Sequence, residues 1–382
     1  MPPLCLFPAK DLLLCSGVSS YLFTKMVSGW VICPGHRTVT RMIRVGDSEG
    51  EHAHDAYHRF FRVGVWSMSW LWKTLALTAV AALKLPGTIE IDLDDTRFHK
   101  SGRKVNGAGI FRDPVRSSGR KVVYALGLNL VVLTVRIAPP WGGEPIGLPI
   151  NVRLYRKGGP THLDLGEEMI AEVAGWLPNH HFSLCCDGAY APLAGRKLPR
   201  THVTSRMRRD AALYALPPRR RKHQLGRPRK KGRRLPTPVK PARRRKKGWV
   251  LTKVEERGRT VERLILALPV LWFAVCPERQ VLLLIVRDPA GRQDDDFFFT
   301  TDLAAVPAAA VGHYAGRWSI EDTNRNVKQF LGGEEPQVWK DQGPERAAAL
   351  AFWLSSAVWL WYLTTQGTKP ALPAVPWYPA KC

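Results

Sequence analysis

Four residues in the stretch YAGRWSIEDTNRNVK could hold a phosphodiester over a metal ion: Tyr314, Arg317, Glu321 and Lys328. If the segment is one α-helix, offsets of 0, 3, 7 and 14 residues put all four on one side, because 3.6 residues complete a turn. A carboxylate flanked by two cations and a phenol can coordinate a divalent ion while the cations grip a polyanion on either side of it. The plainer alternative is salt bridging between neighbours on a surface helix.

Two further acids stand where strands should end. Ile89, Ile91 and Leu93 alternate with Glu90, Asp92 and Asp94, the period of a half-buried strand, so these carboxylates project from one face. The apolar run Phe182 to Cys186 ends in Asp187. Carboxylates at strand ends, met by a third from a helix packed across the sheet, form the oxygen-rich site that two Mg2+ (or Mn2+) ions about 4 Å apart require, activating the attacking oxygen and stabilising the leaving one. Asp94, Asp187 and Glu321 are therefore the candidate catalytic and metal-binding residues. Asp92 and Asp95 are rivals to Asp94, and Asp187 before Gly188 has the alternative of a simple turn residue. His54 and His58, four apart on an expected helix, lack a third ligand. Asp294, Asp295 and Asp296 are consecutive, cannot all point at one site, and read as a solvated turn.

These motifs together resemble the DDE transposases of bacterial insertion sequences, in the group with a Tyr-x2-Arg-x3-Glu-x6-Lys signature. Every spacing of that signature is met from Tyr314 to Lys328. The first acid of the group, followed by x-Thr, corresponds to Asp94-Asp95-Thr96 in IEIDLDDT, and the second to Asp187 in LCCDGAY. HDAYHRFF, the RMRRDAALY segment beginning at Arg206, and FFTTDL extend the resemblance over most of the chain. It implies an α/β fold with a ribonuclease-H-like catalytic core interrupted by a β-rich insertion, and a small N-terminal helical DNA-binding domain. It implies metal-dependent cleavage and strand transfer at insertion-sequence ends. It further implies that Arg317 and Lys328 contact double-stranded DNA near the cut while Tyr314 places phosphate, and Arg206 and Arg208 join the DNA-binding set. Pairing two transposon ends points to a homodimer on DNA.

The elements that must position these residues can be outlined from pattern. With 382 residues, 45% of them hydrophobic, the chain should form two or three folded units. From about Tyr21 to Leu83 the apolar residues recur at helical spacing broken at Pro34-Gly35, Gly46 and Gly50, so residues 1–83 read as the N-terminal helical domain. Within them, Arg37, Arg41 and Arg44 should share one face of a helix whose other face carries Val39, Met42 and Ile43, facing either phosphates or only solvent. Residues 84–210 read as strands, a helix and a strand, the first part of the core. Residues 211–303 form the insertion, and residues 304–382 bring the C-terminal helices.

Charge points to the partner. Lysine and arginine total 57 against 32 acids, a net charge of +25, which favours a polyanion over a small acidic substrate. Residues 219–247 hold 16 of these cations and no acid, a composition expected to stay disordered alone. Taking 16 from 57 leaves 41 cations against the 32 acids, so the remainder is basic too. Gly226-Arg227-Pro228 inside the tract resembles the core of a minor-groove hook in which Arg227 would bind DNA; a plain polycation is the alternative. The uncharged run Ala347 to Gln366 is long enough to cross a membrane, but its three tryptophans, two serines and polar flanks fit a buried helix better, so no membrane partner is expected. Seven cysteines without paired short spacings suit a reducing interior, here the bacterial cytoplasm beside the nucleoid. Lys10 and Asp11 interrupt the apolar start, which argues against a signal peptide.

Overall fold

The computed structural model describes residues 17–113, 116–218 and 226–365. The apolar start of the chain, Cys5, Cys15, Cys382 and the first seven residues of the basic tract, 219–225, lie outside the described residues.

The N-terminal third is helical: α1 (Gly17–Ile32), α2 (Val39–Gly46), α3 (His54–Val63) and α4 (Met68–Ala82). Thr38 starts α2 by accepting a hydrogen bond from the Arg41 amide, and Val39 and Met42 are buried while Arg41 and Arg44 face outward. The core of these helices is shared with later parts of the chain. Met26, Trp30, Tyr57, Phe61 and Trp72 pack in one cluster with strand residues Phe98, Leu130 and Val152 and with Phe352 and Trp353 near the C-terminus. Trp30 Nε1 donates to the Leu331 carbonyl (2.8 Å) and Trp353 Nε1 to that of Leu71 (3.0 Å). Burying so many aromatic rings takes more apolar surface than four short helices provide, and the sheet and the last helix supply it.

After the Pro86-Gly87 break come β1 (Thr88–His99), β2 (Gly109–Arg112), β3 (Tyr124–Ile137), β4 (Ile146–Tyr155), α5 (His162–Trp176), β5 (His181–Cys186), a 3-10 helix (Gly188–Gly195) and β6 (Thr201–Arg206). β1 pairs antiparallel with β3 and parallel with β5, β4 flanks β3 antiparallel, and β5 pairs parallel with β6. Bringing β5 parallel to β1 needs a crossover, which α5 supplies, while the 3-10 helix leads from β5 to β6; the Thr161–Asp164 capping box starts α5, and its Leu165, Met169, Ile170 and Val173 pack on Ile91, Leu93 and Leu184.

The chain then adds α6 (Val239–Arg244), β7 (Val250–Glu256), β8 (Arg259–Val270), β9 (Val281–Arg287) and β10 (Asp296–Thr300). These strands continue the same sheet, since β10 pairs antiparallel with β6 and the order runs on through β9 and β8 to β7. The insertion thus shares the core: Leu283, Ile285 and Phe299 belong to the cluster that holds Leu93 and Leu184.

Part of the basic tract is held by residues outside it. The Leu235 amide donates to the Leu213 carbonyl (2.8 Å) and the Ala215 amide to that of Arg233 (2.9 Å), while Ala242 of α6 is fully buried. Gly232 is obligatory, because a Cβ there would stand 2.2 Å from the Leu216 carbonyl oxygen. A few apolar residues and a backbone ladder order the cationic chain between them, which a window average of charge does not register.

The C-terminal helices are α7 (Pro307–Gly316), α8 (Trp318–Gln329) and α9 (Gly343–Thr365). α9 has the length and hydropathy of a membrane span, but most of that apolar stretch is buried inside the protein. Its Ser356 Oγ donates to the Pro149 carbonyl on β4 (2.6 Å), and Phe352 stacks on Phe98 of β1.

Candidate active site

Side chains on β1 alternate between two faces. Ile91, Leu93 and Asp95 look toward α5, whereas Asp92 and Asp94 look toward α7 and α8. The three rivals are thereby separated. Asp95 accepts from the Tyr190 hydroxyl on the α5 side (3.4 Å). Asp92 is completely buried and consumed by Arg136 of β3, whose Nε lies 3.1 Å from Oδ2 and whose Nη2 contacts Oδ1; the Ser319 hydroxyl adds a third bond (3.3 Å). Asp94, one turn of the pleat further along, reaches Arg317 Nη1 at 3.2 Å.

Arg317 also holds the third acid: its Nη2 lies 2.6 Å from Glu321 Oε1. One guanidinium therefore bridges Asp94 on the sheet and Glu321 on α8. Burial disfavours its charge, but Tyr314, Asp94 and Glu321 outweigh that and hold it protonated. Asp94 is pushed up to about 7, chiefly by burial and against the pull of Arg317.

Asp187 arrives by strand register. β1 and β5 pair in parallel up to Leu93↔Cys186, so Asp94 and Asp187 are the next lateral neighbours, on strands about 4.8 Å apart. Cys185, two residues earlier, contacts His313 of α7, which sets Asp187 on the same face. Its carboxylate accepts from the Gly188 amide and caps the 3-10 helix, so the turn role expected as an alternative is real; it is also exposed, at the edge of a cavity of about 750 Å³ lined by Arg206, Arg257, Tyr314, Arg317 and Trp318.

The expectation of a single helix carrying Tyr314, Arg317, Glu321 and Lys328 needs correction. α7 ends at Gly316 and α8 begins at Trp318, with Arg317 at the junction. In a continuous helix the Arg317 amide would donate to the His313 carbonyl. That carbonyl is taken by Arg136 Nη1 (2.6 Å), and the Arg317 amide turns to Tyr314 (3.1 Å). Gly316 leaves room for this, since a Cβ there would lie 2.8 Å from Arg136 Nη1. Burial works against the charge of Arg136, and Asp92 and Glu90 more than offset it.

The remaining candidates divide. Tyr314 packs on Phe298 with ring centroids 4.5 Å apart and lines the cavity, and Arg206 reaches it from the end of β6 while pairing with Asp296 (3.0 Å). Lys328, two turns beyond Glu321, touches neither Glu321 nor Asp94. Burial lowers its pKa, Glu334 partly restores it, and Arg97 and Asp113 are its other charged neighbours. Arg208 is exposed and forked onto Asp210, and Arg227 is exposed. Asp294, Asp295 and Asp296 take three separate arginines, Arg209, Arg287 and Arg206. Arg136 was missed from sequence, although a lone cation inside the apolar run of β3 had to find a buried partner.

The donors suit a hard divalent cation, being carboxylate oxygens on rigid elements. Among the described residues, no group of three or more His, Cys, Asp or Glu side chains is gathered closely enough to hold one, because Arg317 occupies the space between Asp94 and Glu321.

No curated protein matches the chain. The family model described as DDE superfamily endonuclease matches residues 23–263, which include Asp94 and Asp187 and end before Arg317 and Glu321. Members of that superfamily are nuclease-type enzymes that act on DNA with divalent metal ions. The match spans well over half of the chain, and the protein belongs to the DDE superfamily endonuclease family.

Proposed function

We propose that this protein is a bacterial insertion-sequence transposase that cuts DNA at the element's ends and joins the freed 3′ hydroxyl to target DNA. The observation that carries this is that Arg317 joins Asp94 to Glu321 and lines one cavity together with Asp187. The strand order β4-β3-β1-β5-β6, antiparallel through β1 and parallel beyond it, supports a ribonuclease-H-like core with the two strand-borne acids at its centre.

Asp94, Asp187 and Glu321 would hold the divalent ions. Bound there, such ions supply Lewis-acid stabilisation of the attacking and leaving oxygens. The chain's own residues position the substrate. Arg317, freed from one carboxylate, presents a fork that matches two phosphate oxygens, and Tyr314 and Arg206 bound the space in which that phosphate sits. Water attacks phosphorus, the P–O3′ bond breaks, and the 3′ oxygen leaves as a hydroxyl after taking a proton. In joining, that hydroxyl attacks a target phosphodiester and displaces its 3′ oxygen, so bonds made and broken balance. Lys328 extends the phosphate track along α8, and Arg208, Arg227 and the cations of residues 226–247 contribute backbone attraction. Two copies acting on two ends would form a dimer on DNA.

A supercoiled plasmid bearing the element's ends separates the alternatives. Mg2+-dependent nicking by the wild type, lost in Asp187→Ala, together with joined products supports a transposase. Nicking without joining identifies a nuclease, and binding without nicking identifies a DNA-binding protein that has lost its activity.

A further inference from the structure

Beyond the acids, β1 runs on for five residues to His99, about 17 Å past Asp94. Between there and Tyr124, residues 109–112 form β2 against the start of β3. Residues 97–124 contain eight lysines and arginines and one acid, Asp113. That acid is buried and turned inward, accepting from the Arg116 amide (3.2 Å) and meeting His99 Nε2 (3.2 Å). Arg103, Lys104, Arg112, Arg120 and Lys121 are exposed and form no ion pair among the described residues. Exposed arginines elsewhere divide: Arg206 pairs with Asp296, Arg208 with Asp210 and Arg209 with Asp294, whereas Arg41, Arg44 and Arg243 form no ion pair among the described residues.

The cations stand on a braced ribbon. β2 pairs with β3 from Gly109↔Gly127 to Arg112↔Tyr124, the Asp113 amide donates to the Val123 carbonyl (2.7 Å), and a Ser118–Lys121 turn closes the tip with the Ser118 amide on the Lys121 carbonyl (2.8 Å). The far loop is tied to the body by the Asn106 amide on the Trp339 carbonyl (2.9 Å). Ile110, Val122 and Tyr124 are exposed among the charges. A solvated charged face needs no such bracing, whereas a rigid two-stranded ribbon with unpaired cations is preorganised for a polyanion.

We infer that this β2–β3 ribbon grips the backbone of duplex DNA flanking the cut, about five base pairs from the acids at 3.4 Å per pair. Lys328 lies between, with Arg97 and Asp113 among its charged neighbours, so the track from Arg317 along α8 leads to the ribbon. Its role rests on the DNA-cutting reading above, but its test does not need cutting. The full-length protein is titrated without divalent ions against a random duplex of about 30 base pairs at several salt concentrations, as wild type, R103Q/K104Q, R120Q/K121Q and the charge-matched K84Q/K197Q. All six side chains are exposed, and Lys84 and Lys197 precede β1 and β6 at the opposite end of the sheet. Each ribbon pair should flatten the slope of log affinity against log salt by about 1.8, two lost phosphate contacts, while K84Q/K197Q leaves it unchanged. Equal slopes for all three variants would show a net-charge effect or none, and overturn the ribbon. If the contrast holds while the wild type fails to nick DNA in Mg2+, the ribbon stands and the cutting proposal falls.

Discussion

Asp92 and Asp94 stand two residues apart on one strand, face the same helices, and each meets an arginine, yet the two sites differ in every respect that matters for chemistry. Arg136 and Asp92 form a forked pair in the interior, completed by Glu90, Ser319 and the His313 carbonyl. Nothing is left over for a ligand. Arg317 divides itself between Asp94 and Glu321, its Nε buried without a partner, beside a cavity. A saturated ion pair is a fastening, while a shared and incompletely satisfied one is a place where charge can be exchanged. The first also builds the second: by drawing off the His313 carbonyl, Arg136 breaks the helix at Arg317 and seats that residue over Asp94.

The sharpest break of this comparison is removal of the charge proposed to be catalytic. Asp94→Asn should lower metal-dependent nicking about 1000-fold or more while the melting temperature stays level or rises, since a buried acid becomes neutral. Nicking within tenfold of the wild type would return Asp94 to the structural class. Asp92→Ala should do the reverse first: it leaves Arg136 buried without its main partner and should cost about 3–5 kcal/mol in a denaturant titration. An unchanged midpoint would mean the interior pair fastens nothing.

Gly316→Ala tests the link between the sites. Its Cβ meets Arg136 Nη1 and should cost about 1–3 kcal/mol by overpacking. By moving Arg317 about 1 Å it should slow nicking about 100-fold with DNA affinity intact. Equal loss of binding would point to general unfolding instead.

Proton competition gives a smaller effect. With its carboxyl raised to about 7, Asp94 carries a proton below that pH and must release it to ligate a metal. Affinity for Mn2+, measured by calorimetry, should therefore weaken about tenfold per pH unit below about 7 and level off above it. In Asp94→Asn that dependence should vanish. Asp95→Asn, on the α5 face, is expected to alter nicking by no more than about threefold. A large loss there would show that the strand's other face also serves the site.

Much of this was legible before any coordinates. The period-two run through Asp94, the apolar strand ending in Asp187, and the spacing around Glu321 singled out the candidate acids because side-chain alternation and helical pitch are local properties. Local pattern could not place residue 136, which is near Asp92 only through the β1–β3 pairing, Asp92↔Thr134 and its neighbours. For the same reason the helix containing Tyr314 to Lys328 read as continuous, since the group that interrupts it comes from a strand some 180 residues earlier. The N-terminal helices read as a domain because helical periodicity marks an apolar face without saying what covers it. Composition described the basic tract by itself and not what covers it, and Leu235, Val239 and Ala242 fasten part of that cationic chain to the shared core.

The sequence by itself pointed to the family, to three candidate acids and to a polyanionic partner, all of which follow from residue type and short-range spacing. Only the tertiary structure decided which of three neighbouring aspartates faces Glu321, where Lys328 ends up, and which arginine is spent in the interior. Those outcomes depend on strand register and on competition for single carbonyls and carboxylates between distant segments, and such competition is settled only when the segments pack.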